Sequence, residues 1–300
     1  LEFDPLALNK VAVVGVGLIG GSFALALRRA HPDVRVLGVD RDAGNLDEAI
    51  RRGVIDEVAD ANAIGDVDLI LLAVPVRQMR ALLEVIAPNL GEQTVITDAG
   101  STKQSVIAQA RAVLGGRVGQ FVPGHPIAGR EHSGVAAAAS ELFEGKNVVL
   151  TPPVECAPAA VERVRSAWRA CGANVLEMPA ETHDAVFAAV SHLPHMLAFA
   201  LVDEFAARPN AKSLFSFAAS GFRDFTRIAS SSPDMWRDIA LDNREALVEE
   251  FDRYLAHAES LRDAIAAGDA AGIEKLMSQA REARNQWLAG QLDYFNDEAA

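Results

Sequence analysis

The chain has 300 residues, half of them hydrophobic and 23% charged, enough for two domains with sizeable cores. Its net charge of −13 works against nucleic acid and anionic membrane surfaces as partners, since the basic residues form nothing longer than pairs such as Arg28-Arg29 and Arg51-Arg52. Cys156 and Cys171 are the only cysteines and show no CxxC spacing, which argues against structural zinc and for a reducing compartment.

Through the first half, short β-branched runs alternate with helical patterns, the rhythm of a parallel sheet covered on both faces. Strands are expected at 11–15, 34–40, 68–74, 94–100, 117–124, 146–152 and 173–178, with helices near 18–30, 42–52, 76–87, 101–112, 134–140 and 157–171. This predicts a doubly wound Rossmann-type α/β domain over 1–179. Beyond Pro179 the strand signal stops, and 180–300 is expected to form an all-α domain. Residues 181–207 read as a helix apolar on nearly every side, kinked at Pro194, with Val186, Phe187, Val190, Leu193, Leu197, Phe199 and Leu201 spread around it. A second helix should open at Ser232 and Pro233 and run to Gly268, and a third should run from Asp269 to about Leu288. So much apolar helix surface predicts a homodimer joined through the C-terminal helices. No stretch reads as the roughly 18 apolar residues of a membrane span, and the N-terminus lacks a signal-peptide plan, so a soluble cytoplasmic protein is expected.

The strongest local signal is Gly15-Val16-Gly17-Leu18-Ile19-Gly20, which directly follows the first strand and opens the first helix. Gly15 permits the tight turn, Gly17 lets a pyrophosphate approach the backbone, and Gly20 lets helix pack on strand. The helix start at Leu18 and Ile19 then offers amide groups and a positive dipole end to phosphates. Asp40 ends the next strand, 20 residues past Gly20, where a carboxylate would accept hydrogen bonds from ribose hydroxyls and repel a 2′-phosphate. NAD is therefore favoured over NADP, although Arg41 beside it is a residue that can greet a phosphate. Val74 and Pro75 end a later strand and should lie over the cofactor, since such sheets present ligands at strand C-termini.

Two segments are not explained by packing, Asp98–Lys103 and Gly124–Gly129, each at the C-terminal edge of a predicted strand. His125 is a candidate general base on a loop beside the nicotinamide, and Ser101 reads as a helix N-cap whose hydroxyl also suits fixing the His125 tautomer. Lys103 is open between structural charge pairing and active-site polarity. No metal is called for.

At these residues the sequence resembles the prephenate and arogenate (cyclohexadienyl) dehydrogenases of tyrosine biosynthesis. The resemblance rests on VGVGLIGGS at 14–22, LAVPV at 72–76, DAGSTK at 98–103, GHPIAG at 124–129, SHLPH at 191–195 and GFRDFTRIASSSPDMW at 221–236, in that order. It implies NAD-dependent oxidative decarboxylation of prephenate to 4-hydroxyphenylpyruvate, or of arogenate to tyrosine. It also implies that His125 is the catalytic histidine, Ser101 the serine that orients it, and Arg227 the arginine that grips the ring carboxylate. Ser191, His195 and Trp236 match substrate-pocket positions. Arg130 and Glu131 occupy a position that varies in the family and faces the substrate side chain, where Glu131 would attract an amine and Arg130 a keto acid; the choice of substrate stays open.

The runner-up enzyme class is a β-hydroxyacid-type NAD(P) dehydrogenase. That class relies on a lysine on its long central helix, and 181–207 has histidines and no lysine. A non-catalytic dinucleotide sensor would need the glycines but not His125, Ser101 or Arg227.

Overall fold

The computed structural model describes residues 8–130, 132 and 134–290. The first segment runs β1 (Lys10–Val14), α1 (Leu18–Ala30), β2 (Arg35–Val39), α2 (Ala43–Arg51), β3 (Glu57–Val58), β4 (Leu69–Leu72), α3 (Val76–Ile86), β5 (Val95–Asp98), α4 (Gln104–Leu114) and β6 (Phe121–Val122). These strands form one parallel sheet in the order β3-β2-β1-β4-β5-β6. Runs such as Leu69–Leu72 are apolar without alternation because both faces are covered. On one face Phe23 and Phe143 pack edge-on against Trp168, with ring centroids 4.8 and 5.1 Å apart. On the other, Val14, Leu72, Met79, Leu83 and Phe121 form a second core.

The strand order reverses between β1 and β4, so their C-terminal ends diverge into a crevice of the kind that takes nucleotides. The last strands depart from the expected arrangement. After β6 the chain turns at Pro123 and enters a separate three-stranded sheet of β7 (Gly124–Pro126), β8 (Asn147–Leu150) and β9 (Asn174–Glu177), with β7 antiparallel to β8 and α5 (Pro158–Ala170) between β8 and β9. His125 is therefore the middle residue of a short strand, paired with Val149, rather than a loop residue. Pro126 is accommodated because β7 is the edge strand. The expected helix at 134–140 is only one 3-10 turn, Val135–Ala137, and Arg117, expected in a strand, lies in a 3-10 segment.

From Pro179 onward the described residues are helical: α6 (Ala180–Phe187), a π turn at Ala188–His192, α7 (Leu193–Ala206), α8 (Ala211–Ser216), α9 (Ser220–Thr226), α10 (Pro233–Asp242), α11 (Arg244–Ala267) and α12 (Ala270–Leu288). The wide π turn absorbs the strain of Pro194, which falls at the start of α7 where its missing amide costs nothing. Ala180–Ala206 spans 27 residues with mean hydropathy 1.8 in its most apolar window, so by length and composition it could cross a membrane, contrary to expectation. Its His183, Asp184 and His192 are nevertheless buried in side-chain contacts, as in a helix of a folded core.

Ser232 caps its helix as expected, and Asp269, expected as the first residue of the last helix, is its cap, each accepting a backbone amide bond. The single helix expected over 232–268 is broken at Asn243, whose side chain is spent on Asp184 and His192. The described chain forms two compact units that part between Leu247 and Val248.

Candidate active site

The glycine-rich turn has the stereochemistry its sequence requires. Gly15 sits at φ +89°, and a β-carbon there would lie 2.3 Å from the Ala73 carbonyl oxygen and 2.9 Å from Val74 Cγ1. One added to Gly20 would lie 2.1 Å from the Gly15 carbonyl oxygen, whereas Gly17 faces open space. Gly17 caps α1 without a side-chain bond, so the amides of the first turn, at Leu18 and Ile19, are left for an external acceptor. Val74 and Pro75 follow β4 beside Gly15, and Pro75 caps α3. These features fit a dinucleotide pyrophosphate.

Asp40 stands at the end of β2. Its carboxylate accepts from the Val16 amide at 2.9 Å, from the Asp42 amide at 3.1 Å and from Asn45 Nδ2 at 3.3 Å. Asn45 also donates to the Val16 carbonyl at 2.8 Å and accepts from the Val135 amide at 3.1 Å, tying the acidic residue, the glycine turn and the 134–137 segment together. Only its place in the first turn of α2 could have drawn attention to Asn45. Arg41 is exposed just before α2.

Two strands along the same edge lies the histidine cluster. Leu72 of β4 pairs with Asp98 of β5, two strands and roughly 10 Å from β1 at ordinary strand spacing, and Asp98 accepts the Gly124 amide at 3.1 Å, so β7, which carries His125, starts alongside the end of β5. Lys103 and Asp98 are both fully buried and joined at 2.5 Å, and the ammonium also donates to the Gly124 carbonyl at 2.7 Å. Lys103 is thus charge-paired and ties β7 to β5, one of the two readings left open for it. Burial pushes the lysine below its usual range, while the charge of Asp98 opposes that shift.

His125 Nδ1 lies 2.9 Å from His183 Nε2, and His183 Nδ1 lies 2.8 Å from the Asp184 carboxylate. Asp184 further accepts the amides of Lys103 at 2.8 Å and Gln104 at 2.9 Å, so it caps α4 from a distant helix. Phe187 packs against both rings, with centroids 4.8 Å from His125 and 4.5 Å from His183. Burial, together with the charges of His183, Lys103 and His192, holds His125 well below the ordinary histidine value. His183 is lowered by burial against the opposing pull of Asp184. Asp184 stays below the usual carboxylate value because its hydrogen bonds outweigh its burial.

Ser101 is half-buried beyond the end of β5 and makes no hydrogen bond to His125 among the described residues; the imidazole is held by His183 instead. Nor is Ser101 the N-cap of α4, which begins at Gln104 after Lys103, because Asp184 supplies the cap.

On the helical side, His195 stacks on Trp236 at 3.6 Å between centroids, and its Nδ1 is 2.8 Å from the Ser191 carbonyl oxygen. It is the backbone of Ser191 that holds the ring. Burial lowers His195, and the nearby Arg227 guanidinium lowers it further. Trp236 is 6% exposed and its Nε1 has no hydrogen-bond partner among the described residues. His192 is 1% exposed, bonded through Nδ1 to Asn243 at 3.1 Å, and pushed down to about 4 chiefly by burial. Arg227 lies on the 3-10 turn after α9. Arg130 is paired with Glu141, and Glu131 lies outside the described residues. Sequence reasoning missed His183, Asp184 and Asn243; the polar run 181–184 at the head of a helix that is apolar further on was the one signal for the first two.

Comparison with known proteins shows what the chain resembles. Residues 23–177 match the nucleotide-binding domain of prephenate dehydrogenase, and residues 179–279 match its dimerization domain. The chain is 39% identical over 281 residues to a prephenate dehydrogenase of Bacillus subtilis, covering 92% of this chain and 76% of that protein. It is 36% identical over 290 residues to a cyclohexadienyl dehydrogenase of Zymomonas mobilis, covering 95% and 97%. The crystal structure of prephenate dehydrogenase from A. aeolicus in complex with hydroxyphenyl propionate and NAD+ superposes with a TM-score of 0.88 at 36% identity, covering 93% of this chain and 98% of that one.

Proposed function

This chain belongs to the prephenate/arogenate dehydrogenase family, and from that premise we propose that His125 is its general base and Arg227 its anchor for the ring carboxylate. The enzyme is an NAD-dependent prephenate/arogenate dehydrogenase, an oxidoreductase of aromatic amino acid biosynthesis. The residues proposed to hold the cofactor are Gly15, Gly17, Leu18, Ile19 and Gly20 at the pyrophosphate, Asp40 with Arg41 nearby at the ribose, and Val74 and Pro75 above it. When bound, NAD supplies the acceptor for a hydride.

The observation that carries the proposed roles is the position of His125 on β7, the edge strand of the small sheet, whose first residue Gly124 is bonded to Asp98 at the C-terminal end of β5. Held below the ordinary histidine value, the imidazole is neutral at pH 7 and so available to take a proton. It removes the proton of the ring hydroxyl as hydride leaves the same carbon. The ketone so formed withdraws electrons through the conjugated ring, carbon dioxide departs from the ring carboxylate, and the aromatic phenolate that remains takes back the proton held by His125. Ser101 is proposed as a catalytic residue that also contacts the cofactor.

Arg227 has a planar fork suited to a carboxylate, and the lowering of His195 by its charge supports a role beside that ring. The His195–Trp236 stack, with Ser191 behind it, would frame the ring. Glu131 is proposed to meet the substrate side chain. We assign the dinucleotide domain to residues 1–179 and the substrate and dimerisation domain to 180–300, with a homodimer formed through the C-terminal helices. The match to a dimerization domain and exposed Val190, Phe217, Leu255, Ile265 and Trp287 support that assembly. The free cysteines favour the cytoplasm.

Parallel assays of prephenate and arogenate with NAD and NADP test the reading. NADH is expected to accumulate with one or both substrates, faster with NAD than NADPH does with NADP. No reduction of either cofactor by either substrate would overturn it.

A further inference from the structure

A general base is useful only if its lone pair faces the substrate, and a neutral imidazole has two tautomers of which one fails. The contacts around His125 decide between them. The Asp184 carboxylate already accepts two backbone amides, from Lys103 and Gln104, and is ionised, so it can only accept from His183. The Nδ1 of His183 must therefore carry the proton of that 2.8 Å contact. A neutral ring with its proton on Nδ1 has a lone pair on Nε2, and His125 Nδ1 faces that lone pair at 2.9 Å. Two lone pairs would repel at this distance, so His125 Nδ1 must donate.

We propose that His183 and Asp184 are the positioning pair of the base: the carboxylate fixes the His183 tautomer, His183 fixes that of His125, and the lone pair of His125 is thereby confined to Nε2. The proposal rests on the reading of His125 as the base. Helix capping explains Asp184 but not why an imidazole stands between it and His125.

The environment is consistent with a neutral His183. Its ring is fully buried against Phe187, and the Lys103 ammonium on one side is matched by Asp98 and Asp184, with His192 behind. Were His183 protonated, both its nitrogens would donate, and His125 would have to accept on Nδ1 and turn N–H toward the substrate. During turnover one proton passes from the ring hydroxyl oxygen to His125 Nε2, and the His125 Nδ1 proton remains in the hydrogen bond to His183 Nε2. The new positive charge is thus met by a chain ending on a carboxylate, and no additional group is oxidised or reduced.

The test needs no variant at first. In the 15N-histidine-labelled protein, two-bond nitrogen–proton couplings should show both His125 and His183 protonated on Nδ1 at pH 7.5; a His125 protonated on Nε2 overturns the proposal. Two variants then separate positioning from packing. His183→Phe keeps bulk but removes the acceptor, and kcat should fall roughly ten- to hundredfold, the size of one hydrogen bond to a charged partner, with KM and NAD affinity within about threefold. His183→Gln, whose amide oxygen can accept in place of Nε2, should recover most of that loss. Equal impairment of the two variants, or a loss confined to KM, refutes the assignment. A wild-type protein with both tautomers as expected, yet inert toward prephenate and arogenate, would sink the functional reading instead.

Discussion

Replacing Lys103 by Met tests how the site is held rigid. The side chain is fully buried, and its ammonium serves two acceptors, the Asp98 carboxylate at 2.5 Å and the Gly124 carbonyl at 2.7 Å. Methionine fills nearly the same space, so the perturbation is electrical rather than steric. What remains is a buried carboxylate with amides from Gly100 at 2.8 Å and Gly124 at 3.1 Å but no counter-charge. Stranding one partner of a buried pair costs about 3–5 kcal/mol, equivalent to a drop in Tm of about 6–20 °C for a chain of this size. Asp98→Asn combined with Lys103→Met buries no unpaired charge and should be less destabilised than Lys103→Met alone. Differential scanning fluorimetry and urea unfolding measure both. A Lys103→Met protein within about 1 kcal/mol of wild type would refute the reasoning, as would a double variant worse than the single one. Because Gly124 precedes His125, kcat should fall further than NAD affinity.

Arg227→Ala should raise the KM for prephenate about tenfold or more, the size of a lost charge-assisted bond, with kcat nearly unchanged; steady-state kinetics showing reduced kcat at constant KM would contradict the carboxylate role. His192 carries an acid-stability prediction. It is a base whose value in the folded protein is depressed to about 4, so the unfolded chain binds protons first and stability, complete above pH 6.5, is lost as pH falls toward 4. The loss amounts to about 3 kcal/mol, and His192→Phe should flatten that part of the urea-midpoint profile; an unchanged profile would refute it. The same sign governs catalysis by the free enzyme: His125 lies below the ordinary histidine value, so kcat/KM should hold through pH 6.5 on descending from neutrality and decline only in more acidic buffer. A decline already centred above pH 6.5 would contradict the burial argument.

What the sequence disclosed is what local rules encode. The limits of α1, Leu18–Ala30, follow from the glycine turn and the apolar face after it, and Ser232 announces its helix by capping chemistry. The strand β3, only two residues long, and the helices α8 and α9 were not anticipated, because short elements are fixed by contacts distant in sequence. The same limit applied at the site. His125 and Arg227 stood out by type and motif, but the partner of His125 is 58 residues away and the cap of α4 comes from 80 residues downstream. Asn243 broke an otherwise regular helical pattern for a similar reason: its amide is committed to Asp184 and His192. Periodicity cannot foresee such a commitment. Ser101 shows the converse error, a plausible local cap displaced by a stronger distant one, the Asp184 carboxylate.

The most direct measurement of the central claim is the rate of NADH formation from NAD and prephenate by wild type and His125→Asn at saturating substrate, with NAD affinity determined separately by titration. If His125 removes the hydroxyl proton, the variant should lose about 10²- to 10⁴-fold in kcat and keep its NAD affinity within a few-fold. A His125→Asn enzyme that turns over prephenate within tenfold of wild type would show that another group does this work.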